Sequence, residues 1–438
     1  MRKFIPSPLS LAILLTIAVM LWAILRLEYD IFSSSVEVLK MWENGIWNES
    51  LLVFAVQMML ILVLGHILVL SKPVKKLLQF LTKGIDSTPK AVIVVSISTM
   101  IMAFFNWGLG LIFGAILVRQ IGESCQRNGF EVNYPLVGAA GYIGLMVWHG
   151  GMSGSAPLKV AESGHLASIT QLEMPEYLST STTIFSSENL VVFLVLLIIM
   201  PILFVVLDLF RKKRKPLNGL IYKNQADVKQ DLSIFENSNY LASTFGILIL
   251  VTCVVVYSNE FLSLRITPNI LNFLILGMAF LLHRNLSSFL RATKEAIGDV
   301  SGILIQFPLY FGIMGIMKDS GLAKDISDFF VSVSTADTLP ILSFISAGIL
   351  NIFVPSGGGQ WAIQGPIIIE SSQQINVPLP KMIMAMAYGD QITNMLQPFW
   401  ALPLLAITKL KAHEILPYTF WMFVIGSLIF IFSLIFIY

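Results

Sequence analysis

The stretch Phe353-Val-Pro-Ser-Gly-Gly-Gly-Gln-Trp-Ala-Ile-Gln-Gly-Pro366 constrains this chain more than any other. Three consecutive glycines, two prolines and two glutamines sit between apolar runs long enough to lie in a bilayer. A continuous membrane helix has no use for them. At membrane depth, irregular backbone survives only where it is buried in protein or lines a wet cavity. A second such interruption, Trp148-His-Gly-Gly-Met-Ser-Gly-Ser-Ala-Pro157, lies in the first half. Paired interruptions in two halves are a sequence pointer to the substrate site of a secondary transporter.

Composition supports a bilayer setting. Of 438 residues, 56% are hydrophobic and only 12% charged, with mean hydropathy +0.79. Ordinary soluble domains carry roughly twice that charged fraction. A net charge of +2 gives no reason to expect a nucleic-acid partner. The two cysteines form neither a disulfide framework nor a metal motif, and Arg2 and Lys3 precede an apolar run too long for a signal-peptide core. The expectation is an all-α polytopic membrane protein with its amino terminus in the cytoplasm.

Taking about 20 apolar residues per span, the sequence predicts crossings near 9–27, 51–70, 134–158, 190–210, 241–257, 268–282, 300–317, 382–408 and 415–438, those at 134–158 and 382–408 being broken. Two further stretches, 91–118 and 339–369, have glycine-rich centres and read as re-entrant hairpins. Loop charges support this. Residues 28–50 are acidic and read as an external loop, and 71–90 carry Lys72, Lys75, Lys76, Lys83 and Lys90. Residues 159–185 are acidic again, and Arg211-Lys-Lys-Arg-Lys215 is strongly basic. These loops obey the positive-inside rule only if the glycine-centred stretches return to the side they entered.

The order of elements repeats across a polar linker, so residues 1–210 form one repeat, 211–240 a cytoplasmic linker, and 241–438 a second repeat with one extra connecting helix. The offset is about 250 residues, and an odd number of crossings between the halves makes them inverted.

Inverted halves would bring 105–110, 148–157, 355–364 and 389–398 to one cavity. The candidates for substrate contact there are Asn106, His149, Gly150, Gly151, Ser153, Ser155, Ser356, Gly357, Gly358, Gly359, Gln360, Gln364 and Asn394. Asp390, Gln391, Thr393 and Asn394 are the candidates for a coupling cation, sodium being the only metal expected. Half-helix starts suit anions, while freed carbonyls suit a small hard cation. No Arg or Lys lies in these segments, which favours a small monoanion. Trp107, Trp148, Trp361, Phe399 and Trp400 would wall a short carbon chain.

Asp390 reads either as a cation ligand or proton acceptor, or as a carboxylate tied to helix-end amides. His149 reads as a carboxylate contact or proton relay, or as a brace for the break at Gly150 and Gly151. Gly110 and Gly114 fit a close-packing pattern. A P-loop is excluded, and no Gly-x-Ser-x-Gly elbow supports an intramembrane acyl-transferring enzyme. The same machine carrying another substrate, such as an amino acid or a dicarboxylate, stays open, and a channel would conduct without coupling.

At these segments, and at Ala387-Tyr-Gly-Asp-Gln-Ile-Thr-Asn-Met-Leu-Gln-Pro398, the chain resembles the bacterial short-chain fatty acid transporter family over essentially its whole length. The resemblance implies proton- or sodium-coupled uptake of short monocarboxylates, such as acetoacetate or butyrate, across the inner membrane. No cofactor beyond the coupling ion is implied. The family is similar in layout to the wider ion-transporter superfamily, which implies a homodimer. That superfamily often has Ser-Asn-Thr at its hairpin tips. Here the tips read Phe105-Asn106-Trp107 and Pro355-Ser356-Gly357, so those ligands are not carried over.

Overall fold

The computed structural model describes residues 8–170, 173–210, 234–262 and 267–438, and every regular element among them is helical. The basic cluster 211–215 and most of the linker lie outside the described residues. Among the described residues, seven helices are long and apolar enough to cross a membrane, and four further apolar helices are shorter. This is a multi-pass membrane protein.

The first half opens with α1 (Pro8–Arg26), α2 (Ile31–Ile46), α3 (Glu49–Leu70) and the short amphipathic α4 (Lys72–Leu81). Next come α5 (Thr88–Phe105) and α6 (Trp107–Asn128), packed along each other and joined at Asn106. Gly129, at φ 72°, ends α6, a left-handed cap that glycine adopts without a Cβ penalty. The broken crossing is α7 (Tyr134–Tyr142), a 3₁₀ turn to Met146, irregular backbone over 147–154, then α8 (Ser155–Val160). After α9 (His165–Thr170) the half closes with α10 (Ser187–Leu209).

The second half begins with α11 (Ile234–Asn237), α12 (Asn239–Val256), α13 (Ser258–Leu262) and α14 (Pro268–His283). Then follow α15 (Leu286–Ala296), α16 (Ser301–Asp319) and α17 (Leu322–Ser332). The second glycine-centred pair is α18 (Leu339–Phe353) and α19 (Gly357–Ile375). The second broken crossing is α20 (Leu379–Thr393), a 3₁₀ turn to Leu396 and α21 (Pro398–Thr408), and α22 (Ala412–Phe436) completes the order.

Three expectations need correction. Residues 28–50 are not a loop, because 31–46 form α2, capped by Asp30 and packed along α16. Ser34, Val38 and Gly45 make its buried stripe, and a Cβ at Gly45 would lie 2.5 Å from the Phe311 carbonyl oxygen. That spacing of small residues was readable; the acidic charges on the other face hid it. Second, α15 is an amphipathic helix where the sequence reading left only a connection. Third, the second break is shorter than expected: 389–393 remain helical and only 394–397 leave the α-helix.

The two paired segments also differ. The arms α5 and α6 pack closely, whereas α18 lies mainly along α20 and touches α19 little. Gly389 permits that contact, since a Cβ there would come within 2.1 Å of the Phe344 carbonyl oxygen. Large apolar side chains remain exposed along α1, α10, α12 and α22, among them Leu21, Ile198, Leu248 and Phe432. Extended apolar surface of this kind marks contact with a nonaqueous partner, here the lipid.

Candidate functional site

The site grows from two capped helix starts. Asn106 and Ser356, about 250 residues apart, are both extended (φ −155°, ψ 126° and φ −153°, ψ 108°). Each side chain accepts the N–H three residues on: Leu109 to Asn106 at 3.0 Å, and Gly359 to Ser356 at 3.2 Å. Asparagine and serine stop a helix cleanly here because their short side chains replace a missing carbonyl.

Both starts face the first break. The Trp107 N–H donates to Ser153 Oγ at 2.9 Å, and the Met152 N–H donates to the Phe104 carbonyl at 2.7 Å. Gly151 allows this approach, since a Cβ there would sit 2.5 Å from that same carbonyl oxygen. A Cβ at Gly357 would meet Trp148 Cη2 at 2.7 Å, His149 Cε1 at 3.0 Å and Ser155 Oγ at 3.1 Å. The triple glycine therefore lies directly against the Trp148–Ser155 turn.

The first break meets the end of α20 at His149 and Asp390, 0% and 1% exposed. His149 Nδ1 lies 2.5 Å from Asp390 Oδ2, while its Nε2 accepts the Ala156 N–H at 3.1 Å. A nitrogen that accepts carries no proton, so the neutral ring holds its proton on Nδ1 and donates it to the carboxylate. Asp390 Oδ1 is buried and has no partner among the described residues. Gln391 braces the first break, its Oε1 accepting the N–H groups of His149 at 2.9 Å and Gly150 at 3.1 Å.

Asn351, in the apolar run of α18, was not among the sequence candidates. Its Nδ2 donates to the Asp390 carbonyl at 2.7 Å, Thr393 Oγ1 at 3.0 Å and Asn394 Oδ1 at 2.9 Å. Gln397 Nε2 in turn donates to the Asn351 carbonyl at 2.7 Å. One amide thus engages oxygens of three of the four residues expected to hold a cation, and Gln391 is engaged at the first break. An amide buried in an apolar helix was the signal that could have found Asn351. Asn189 was also missed. It donates to the Gly150 carbonyl at 2.8 Å and accepts from the Tyr388 hydroxyl at 2.8 Å.

Other candidates fall in different surroundings. Gln364 donates to Ser327 and Ser346, both at 3.0 Å, and accepts from Gln360 at 2.8 Å, which ties α19 to α17 and α18. Gln360 also donates to the Ala347 carbonyl at 2.8 Å, and its own Oε1 is buried without a partner among the described residues. Trp361 is turned to α9, its Nε1–H donating to His165 Nε2 at 2.9 Å.

The first break converges with the helix starts at Asn106 and Ser356 and with the end of α20, and two small cavities border these segments rather than a single one. One, of about 10 Å³, is bordered by Gly150, Asn189, Tyr388 and Gln391 together with apolar residues. The other, also of about 10 Å³, is apolar and aromatic and borders Trp107, Trp400 and Phe307.

A family model described as short chain fatty acid transporter matches residues 1–437. A relative of Escherichia coli (strain K12), provisionally named a short-chain fatty acid transporter, is 34% identical over 443 residues, covering 99% of this chain and 96% of its own. A relative of Haemophilus influenzae with the same provisional name is 33% identical over 450 residues, covering 99% and 97%. The chain is also similar to two solved structures. Neisseria gonorrhoeae MtrF, from a class of antimetabolite efflux pumps, aligns with TM-score 0.41 and 14% identity over 98% of this chain and 95% of that one. The Alcanivorax borkumensis YdaH transporter aligns with TM-score 0.45 and 13% identity over 97% and 98%.

Proposed function

This chain belongs to the short-chain fatty acid transporter family, and from that membership we propose that it is a secondary active carrier of short-chain monocarboxylates such as acetoacetate or butyrate, driven across the inner membrane by a proton or sodium gradient. One observation carries the reading. At the start of α19, Ser356 takes the Gly359 N–H, and the amides of Gly357 and Gly358 have no acceptor among the described residues. Two free amides at the positive end of a helix attract an anion, and Ser155 Oγ lies beside them.

In this reading the carboxylate binds at Gly357, Gly358 and Ser155. Asp390, through its unpartnered Oδ1, takes the coupling ion. The anion and the ion then partly neutralise each other in a site walled from lipid, which lowers the cost of carrying charge through the bilayer. The pairs α5–α6 and α18–α19 serve as re-entrant hairpins of two inverted repeats, moving with the broken helices against the outer helices, and the amino terminus lies in the cytoplasm.

The test is uptake of radiolabelled butyrate and acetoacetate into proteoliposomes, with sodium and proton gradients imposed separately. Accumulation under one gradient, lost in Asp390→Asn while exchange of internal for external substrate persists, supports the reading and identifies the ion. A folded protein that accumulates neither substrate under either gradient overturns it.

A further inference from the structure

Three hydrogen bonds lead from the outer helices to the first break. Asn189, in the first turn of α10, donates through Nδ2 to the Gly150 carbonyl at 2.8 Å and to the Ile184 carbonyl at 2.7 Å. Both amide protons are thereby committed, so Oδ1 accepts, and it takes the Tyr388 hydroxyl proton at 2.8 Å. Tyr388 has only that one proton to give. The second hydroxyl beside it, that of Tyr438 at 2.8 Å, is therefore the donor. Tyr438 is itself fixed to α22, its N–H donating to the Ser433 carbonyl at 3.0 Å. The chain Tyr438 to Tyr388 to Asn189 to Gly150 thus runs in one direction, and its last three members are buried. Gly150 leaves no slack in it, since a Cβ there would lie 2.9 Å from Asn189 Oδ1.

Each of these bonds joins a broken crossing to an outer helix. Gly150 belongs to the first break and Tyr388 to α20, whereas Asn189 stands on α10 and Tyr438 at the end of α22. We infer that the chain is a latch that holds the first break against α10 and α22, and that the carrier opens these bonds when it exposes its site to the outside. The inference rests on the carrier reading above, in which the broken helices move against the outer ones. Every bond of the chain then spans the moving boundary. The acidic loop before α10, and Lys409 and Lys411 at the start of α22, put this end of both helices on the non-cytoplasmic side. Asn189, Tyr388 and Tyr438 are thus positioning residues. They fix the Gly150 carbonyl while Gln391 takes the N–H groups of His149 and Gly150, and His149 faces Asp390 from that clamped turn.

The test reads access to the site rather than transport. Ser155→Cys, in a chain with Cys125 and Cys253 replaced by serine, is treated with a membrane-impermeant methanethiosulfonate from either face of sealed vesicles. Tyr388→Phe and Tyr438→Phe each remove one hydroxyl and keep the ring, including the stacking of Tyr388 on Phe430 at 4.5 Å. One net hydrogen bond corresponds to about fivefold in an equilibrium. The rate from the outer face should rise about fivefold in Tyr438→Phe and by more in Tyr388→Phe, which loses two bonds. The double variant should match Tyr388→Phe, because Tyr438 acts through the Tyr388 hydroxyl. The rate from the cytoplasmic face should not rise in any of them. An unchanged rate from the outer face, or an equal rise from both faces through general loosening, overturns the latch alone. A cysteine at 155 reached from no more than one face in every variant overturns the alternating access beneath it.

Discussion

At the scale of single residues, the chemistry of this chain centres on one contact made across 241 positions of sequence, His149 to Asp390. A carboxylate 1% exposed in a membrane protein is costly unless something faces it. Here a neutral imidazole offers one donor, and the Ala156 amide fixes which nitrogen offers it. Removing the ring leaves the carboxylate without that donor. His149→Ala should cost about 3–5 kcal/mol, the usual penalty for stranding a buried charge. Adding Asp390→Asn should recover much of that loss, because the charge that needed a partner is gone. Thermal unfolding of the two single variants and the double variant in detergent would measure the cycle. A double variant as unstable as the sum of the singles would mean that the two side chains do not depend on each other. The candidates at these positions were legible because charge is rare in apolar sequence; their pairing was not.

At the scale of elements, the sequence located the joints well. Asn106 and Ser356 are where a capping side chain, a glycine-rich start and an apolar flank coincide, and all three signals lie within one turn of chain. It missed α2 because the acidic charges of 28–50 read as a loop, whereas the helix packs by glycine against glycine; Gly45, Gly312 and Gly315 make that contact. It also gave Trp361 to the cavity, whereas the indole joins α19 to α9 through His165.

That last contact is sensitive to pH. Burial, together with the nearby Lys159, holds His165 below its ordinary value, and only the neutral ring can accept the Trp361 N–H. With the folded value depressed, the contribution is complete above the ordinary histidine range near 6.5 and is lost as pH falls through the lower folded value. Hydrogen exchange of residues 160–170, corrected for the intrinsic pH dependence of amide exchange, should accelerate about fivefold on acidification, the equivalent of one net hydrogen bond. In His165→Gln, whose amide accepts without titrating, the acceleration should vanish. Equal acceleration in both proteins would assign it to another group.

At the scale of the whole molecule, the topology proposed here makes a prediction independent of transport. Lys83, Phe130 and Tyr177 are exposed and lie before α5, after α6 and after the first broken crossing. The two native cysteines, Cys125 and Cys253, are buried. Single-cysteine variants at Lys83 and Phe130 should react with a membrane-impermeant maleimide only from the cytoplasmic face, and one at Tyr177 only from the opposite face. Lys83 and Phe130 labelled from opposite faces would mean that α5 and α6 together cross the membrane once.

The sequence by itself determined the membrane class, the two interruptions in each half, the capped tips and the family, since each rests on neighbours within a few turns of chain. Only the tertiary structure decided which oxygens are already engaged. Asn351 takes up Thr393, Asn394 and the Asp390 carbonyl, Gln391 holds the first break, and Asp390 Oδ1 is left without a partner. It also divided the expected single cavity into a polar-edged one and an aromatic one. Hydropathy and capping are properties of a local stretch, but a donor is matched to an acceptor only when two helices far apart in sequence pack at one register. No local period in the chain records that register.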